Sequence, residues 1–423
     1  MWKKLLCCYS VLVVIFTIMI ISVHLIPTYL IRDNVYRSAC KINDEGIFHK
    51  IGGIMLFQID NMTDCMMMNM AATADEHYPI ESAMNNYYSC NRQDEGYVNM
   101  ALNTIKLAKE GQQSLPERVH YGRYWQGSQC FLRPLLLFTN YTGIRIINYI
   151  LLSFLLLWLI WLMKISFGWG VPILLLVSLL MVSIPIVPLS IQLSICFYLM
   201  LLGSIFVMYF SDIKNAPIVF FIIGILTSYF DFLTIPQITL GIPLILLLLK
   251  NHINNKYRIV LILSLAWLGG YSIFWASKWL VAYLLTGQSI MDSVYGSISL
   301  RLSNSVVFHG VEIDIDNLLI LILGKIRWWM IMTFCILLIV IGLLYYKYQK
   351  GKYIIYSYSW LLIVAIIVPV WFLCLRNHSV QHIFFTWRAL LLPLFSLMLF
   401  VYLTTKKQNI YEQNNSHTNT LLQ

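Results

Sequence analysis

The sequence predicts an all-α, polytopic membrane protein with about ten transmembrane helices and a helical first external loop. Two bulk properties and one pattern predict it. Apolar residues make up 59% of the 423-residue chain and charged residues only 11%, whereas a soluble domain carries about 25% charged residues. Mean hydropathy is +0.72. The pattern is a series of apolar stretches at residues 5–29, 146–163, 170–187, 190–210, 216–233, 235–249, 257–285, 327–346, 353–374 and 385–404. About 20 such residues cross ~30 Å of hydrocarbon at ~1.5 Å rise each.

In chain order, residues 1–29 are expected to form the first transmembrane helix. The apolar run from Leu5 to Pro27 exceeds the ~7–15-residue core of a secretory signal and no A-x-A site follows it, so it reads as uncleaved. Residues 30–145 form an external loop, 146–404 a transmembrane helical bundle and 405–423 a polar cytoplasmic tail. Pro236 interrupts the long run at 216–249, which predicts two short helices in place of one. Further external segments are expected at 287–325 and from Arg376 to Arg388. No internal repeat of the transporter kind is present.

The net charge of +10 does not point to nucleic acid. Lys3, Lys4, Lys164, Lys214, Lys250, Lys256, Arg258, Lys347, Lys350, Lys352, Lys406 and Lys407 fall in alternate connections, the bias that keeps positive loops inside. It places both termini in the cytoplasm and the chain in the plasma membrane as a multi-pass protein. The excess charge is topogenic, and no nucleic-acid partner is expected.

Within the long loop, Val98, Ala101, Leu102, Ile105 and Ala108 recur at helical spacing and Gly111 supplies a stop. Residues 64–73 show Met66, Met67, Met70 and Ala71 on one side. Both are expected to be short amphipathic helices lying on the membrane surface. Cys40, Cys65, Cys90 and Cys130 share this segment, where one or two disulfides or small buried thiols are equally consistent with the sequence.

The chain has neither G-x-x-x-x-G-K-[ST] nor G-x-G-x-x-G, so chemistry on the external face is expected to use a lipid-carried donor. Asp60 and Asp64 begin a helix; a carboxylate there suits a general base or a divalent-cation ligand, and equally a helix cap. Arg123 and Trp125, then Arg133, bring aromatics and guanidinium forks suited to sugar and phosphate, and equally to interfacial anchoring. Arg376, His378, His382 and Arg388 form a third group. Its histidines have zinc-like i, i+4 spacing but no intervening H-E-x-x-H glutamate, which favours phosphate contact over metal, and the group equally suits ordinary interfacial polar residues. Asp231 is the ionisable residue near membrane depth, with Lys278 and Arg301 as positive partners on the same side.

The stretches Phe230-Asp231-Phe232-Leu233-Thr234 through Thr239–Leu244, Arg123–Gly127 through Leu132–Leu136, and Asn377-His378 through His382–Arg388 look like a family of poorly characterised bacterial multi-pass membrane proteins. The whole layout resembles the GT-C glycosyltransferase superfamily. That resemblance implies a carboxylate in the first external loop as base or metal site, at Asp60 or Asp64, with Asp44-Glu45 as another pair. The adjacent acidic pair that many members show near the first helix is missing here. The activity it implies is transfer of a sugar from a polyprenyl-phosphate donor to a glycan or lipid acceptor on the outer face. The spans would hold the donor's tail among membrane lipid, and a divalent cation is a candidate cofactor. The alternative is a transporter or flippase of a lipid-linked sugar or small solute.

Overall fold

The computed structural model describes residues 2–91, 99–115, 117–210, 212–251, 253–289, 291–303, 305–308, 311–314 and 357–404. The expected span at 327–346, Val98, the basic residues 347–352 and the tail from 405 lie outside the described residues.

The apolar stretches fold as helices, as their length requires. They are α1 (Trp2–His24), α7 (Tyr141–Phe167), α8 (Gly170–Met181), α9 (Ile191–Tyr209), α10 (Ala216–Phe230), α11 (Gln237–Lys250), α12 (Lys256–Thr286), α14 (Trp360–Cys374) and α16 (Ile383–Thr404). Five of them, α1, α7, α9, α12 and α16, are long and apolar enough to cross a membrane. The remaining four are shorter. The chain is thus an all-helical protein with the helices of a membrane protein. Strand structure among the described residues is confined to two antiparallel ribbons, Tyr88–Cys90 with Glu117–Val119 and Ser305–Phe308 with Val311–Asp314.

The break expected near Pro236 is present. After α10 the chain unwinds over Asp231–Pro236, with Leu233 in the left-handed region at φ +68. α11 then runs back beside α10, and Thr227 and Thr239 hydroxyls meet at 2.8 Å across the pair. Lys250 Nζ reaches the carbonyls of Met208 and Phe210 at the end of α9. The 231–236 turn and the start of α9 therefore share one end of the bundle.

At that end sits the 28–138 region, in a form the sequence did not suggest. Its helices are α2 (Thr28–Glu45), α3 (Asn61–Thr73), α4 (Pro79–Asn85), α5 (Met100–Glu110) and α6 (Gln129–Phe138). They are not separate amphipathic helices on a surface. Ile31, Val35, Ala39 and Ile42 of α2 share one hydrophobic core with Cys65, Met67, Met68, Leu107, Leu132 and Leu136, and Tyr141 and Ile144 of α7 continue it into the bundle. Nearly all of α3 is buried, so its supposed polar side is inside too. The polar groups are paired: Asn69 Nδ2 donates to Ser89 O and Thr104 Oγ1, and Ser89 N donates to Asn69 Oδ1. Ala101 and Ala108 of the expected α5 stripe are buried and Ile105 is half-buried, while Leu102 is exposed and Asn103 and Thr104, held by that ladder, are buried. Gly111 ends α5 as expected, at φ +81. Cys40, Cys65, Cys90 and Cys130 are all free thiols.

α13 (Met291–Leu302) and α15 (Arg376–Gln381) complete this end, linked by Asn377 Nδ2 donating to Ser303 Oγ at 2.6 Å.

Candidate functional site

Asp60 stands at the N-cap of α3, where its Oδ1 accepts the Thr63 backbone N–H at 3.0 Å and its Oδ2 the Thr63 hydroxyl at 2.6 Å. Asp64, one turn later, is filled by the bundle. Its Oδ2 accepts Tyr141 Oη–H at 2.5 Å and Ile191 N–H at 2.8 Å, and its Oδ1 accepts Gln192 N–H at 2.9 Å. Asp64 is thus the acid that satisfies the free N–H groups at the start of α9. It ties the 28–138 region to α9. Burial pushes both carboxyls above their usual range, Asp60 to about 7; the Thr63 bonds and, more weakly, the Arg388 guanidinium hold Asp60 back from rising further.

Arg388 comes from the other end of the chain. Its terminal nitrogens donate to Gln58 O at 2.9 Å and Phe384 O at 3.0 Å, and it has no exposed surface. Asp231 accepts the Thr234 N–H with both oxygens at 3.1 and 3.0 Å, and Thr234 Oγ1 accepts from Gln192 Nε2 at 3.3 Å. His378 Nε2 lies 2.8 Å from Leu233 O, and its ring is 4.7 Å from that of His382. Hydrogen bonds or electrostatic proximity therefore join Asp60, Asp64, Asp231, His378, His382 and Arg388 in one region. They come from three distant stretches of chain.

This region also holds polar atoms with no hydrogen-bond partner among the described residues: Arg388 Nε, Gln192 Oε1, Gln237 Oε1 and Ser379 Oγ. Gln192, Gln237 and Arg388 are almost wholly buried. Buried polar groups are normally paired, and clusters of exceptions mark water or ligand positions.

Three sequence candidates are committed to other partners. Arg133 donates to Val23 O, Ala71 O and Ile26 O, clamping the ends of α1 and α3 together. Ala71 is 11 residues from Asp60, so at ~1.5 Å rise the two lie roughly 16 Å apart along α3. Arg133 is a structural clamp, its guanidinium committed to backbone carbonyls where the sequence suggested a phosphate contact. Trp125 is fully buried, donates to Phe274 O at 2.8 Å and stacks on the Phe274 ring at 5.0 Å, so no sugar face is left to it. Arg123 lies over the Tyr121 ring at 3.9 Å. Lys278 donates to Ala83 O and Met84 O, not to Asp231; the Arg301 side chain lies outside the described residues. Arg376 is exposed, with Nε on Leu373 O at 3.1 Å.

Arg145, which sequence reasoning missed, matters here as the partner of Glu45, already a candidate in the Asp44-Glu45 pair. Glu45 forms a bidentate pair with Arg145 at 2.7 and 2.8 Å, and both bond Asn61, the first residue of α3. The Arg145 guanidinium and Asn61 amide beside Glu45 overcome its burial and hold its carboxyl down at about 2. Nothing local marks Arg145 as its partner. Among the described residues no group of three or more His, Cys, Asp or Glu side chains comes together as metal ligands would. Compared with known protein families, curated sequences and solved structures, the chain matches none.

Proposed function

We propose that this protein is a GT-C-like glycosyltransferase of the plasma membrane, with about ten spans and both termini cytoplasmic. It transfers a sugar from a polyprenyl-phosphate donor to a glycan or lipid acceptor on the outer face. The observation that carries the reading is the gathering of Asp60 with Arg388, Asp231 and the His378–His382 pair, amid buried polar atoms that lack partners. Group transfer needs a base for the incoming hydroxyl and positive charge for the departing phosphate, held close together.

The two loop carboxylates differ in what binding a substrate would cost. The Asp60 Oδ2 holds a side-chain hydroxyl, which an acceptor hydroxyl can replace. The Asp64 oxygens hold helix N–H groups, which cannot be released without uncapping α9. Asp60 is therefore assigned as the base, and its pKa of about 7 suits that task. In the step, the acceptor oxygen attacks the anomeric carbon and its proton passes to Asp60. The bond from that carbon to the phosphate oxygen breaks, and the electron pair leaves on the phosphate, opposite Arg388 and the histidines.

The test is transfer from a defined polyprenyl-phosphate sugar by purified protein in liposomes. Asp60→Asn keeps an N-cap side chain, since Asn caps about as well as Asp, and is expected to lose transfer by about 10²-fold or more. Full transfer by a stably folded Asp60→Asn variant would overturn the assignment. Movement of an intact lipid-linked sugar across the bilayer, with no transfer, would favour the transport reading.

A further inference from the structure

At the end of α3 away from Asp60, a pocket of about 210 Å³ opens between the start of α2, the turn after α3 and the end of α5. α3 runs 13 residues from Asn61 to Thr73, roughly 20 Å at ~1.5 Å rise, so the pocket is separate from the candidate site. Its floor is small and apolar, made by the buried side chains of Ala72, Leu107 and Ala108. Its more exposed wall carries charge of both signs: Arg32 from α2, and Asp75 and Glu76 from the turn after α3.

These charges are held apart. Among the described residues Arg32 makes no ion pair and no hydrogen bond. Its Nη2 stands over Gly111, 4.0 Å from where a Cβ there would lie. The carboxylates are each fixed through one oxygen. Glu76 Oε2 accepts the Thr28 hydroxyl at 3.2 Å and the Thr28 N–H at 3.4 Å, and Asp75 Oδ1 accepts the His77 N–H at 3.0 Å. Asp75 Oδ2 and Glu76 Oε1 receive no hydrogen bond from any other described residue. Burial raises the Glu76 carboxyl, but backbone N–H groups and the Thr28 hydroxyl outweigh it and hold the group below its ordinary value, so it stays charged. The Arg133 guanidinium, spent on carbonyls, is a further cation that Glu76 feels. Arg32 and Arg133 thus balance the two carboxylates, leaving a near-neutral place with its charges separated.

We infer that this pocket binds a small α-amino acid, its carboxylate on the Arg32 fork and its ammonium on the free oxygens of Asp75 and Glu76. A guanidinium takes a carboxylate bidentately, and carboxylates take an ammonium by charge-assisted hydrogen bonds. A zwitterion supplies both charges on one carbon, which a lone anion or a lone cation does not. The alanine and leucine side chains of the floor suit a short apolar side chain. The volume is below the ~300–1,000 Å³ of pockets for drug-sized ligands, which leaves no room for a lipid tail or an oligosaccharide. Neither Arg32, Asp75 nor Glu76 takes part in the transfer reading above.

Full-length protein in nanodiscs is tested by saturation-transfer NMR with alanine, and with propionate and ethylamine, which each keep one of its two charges. Alanine is expected to bind at about 1 mM or tighter, and each single-charge analogue at least ~10-fold more weakly. Arg32→Ala should weaken alanine by about 10-fold or more, and Arg32→Lys should restore part of it, since lysine keeps the charge and loses the fork. Asp75→Asn keeps an acceptor for the His77 N–H and should weaken alanine by a similar factor. Arg32 is exposed and bonds no described residue, so its replacement should leave the monodisperse fraction on gel filtration unchanged. No binding of alanine, equal binding of propionate or ethylamine, or unchanged affinity in Arg32→Ala overturns the inference.

Discussion

At the scale of single residues, Asp60 and Asp64 look alike in sequence and behave differently once folded. Asp60 has a folded pKa of about 7 against an ordinary value of 3.8, raised mainly by burial. Between those pH values the folded state holds a proton that the unfolded state has lost, so stability falls as pH rises from about 4 to about 7 and stays lowered above that. Asp60→Asn removes the penalty. Its thermal midpoint in detergent should exceed the parent's at pH 8, and the difference should vanish near pH 4; an unchanged gap across that range would contradict the burial argument. Glu45 has the opposite sign. Its carboxyl is held at about 2, so its pairing with Arg145 is fully present above the ordinary carboxylate range and is lost as pH falls toward 2. Asp64→Ala strands the Ile191 and Gln192 N–H groups in a buried place, at about 1–3 kcal/mol for each. It should cost most of the correctly folded protein, read as the monodisperse fraction on gel filtration. Both aspartates were legible as candidates because each sits in the first turn region of a helix signal. Which one was committed to the fold was not, because the groups that fill Asp64 lie 77, 127 and 128 residues away.

At the scale of elements, the closest helix contact is between α10 and α12. A Cβ placed on Gly224 would lie 2.1 Å from Trp267 O, and one on Gly270 would lie 2.1 Å from Phe221 O. Backbones approach this closely only where small residues let them, the usual way membrane helices gain packing without a hydrophobic drive. Gly270→Ala should force the pair apart and destabilise by about 1–3 kcal/mol. Gly269→Ala next to it meets nothing within 4 Å and should be neutral; equal effects of the two in a thermal assay would refute the contact. Of the elements, the long apolar helices, the break before Pro236 and the stop at Gly111 were readable from composition and breakers. α2 was not recognised, although Ile31, Val35, Ala39 and Ile42 carry a plain helical period. The inner face of α5 was legible through Ala101, Ile105 and Ala108, but not the exposure of Leu102 or the burial of Thr104, whose bond with Asn69 no hydropathy pattern records.

At the scale of the whole molecule, the 28–138 region is bound to the bundle by polar ties that include Asp64 to the start of α9, Glu45 and Asn61 to Arg145 of α7, Gln58 to Arg388 of α16, and Trp125 to Phe274 O of α12. It is expected to face outward. A single cysteine placed at Glu110, on an otherwise Cys-free chain, should label from outside intact cells, and one at Asn254, between α11 and α12, should not; the reverse pattern would invert the topology.

The amino-acid sequence by itself determined that the chain is helical, that its helices are apolar enough for a membrane, and where most of them begin and end. Those properties are local, set by side-chain hydropathy, helical period and backbone breakers within a few turns. Only the tertiary structure decided that α3 is a core helix, that Arg133 and Trp125 are buried supports, and that Asp60 stands beside Arg388. Burial and hydrogen-bond partnership are set by residues tens to hundreds of positions away, and no local pattern carries them.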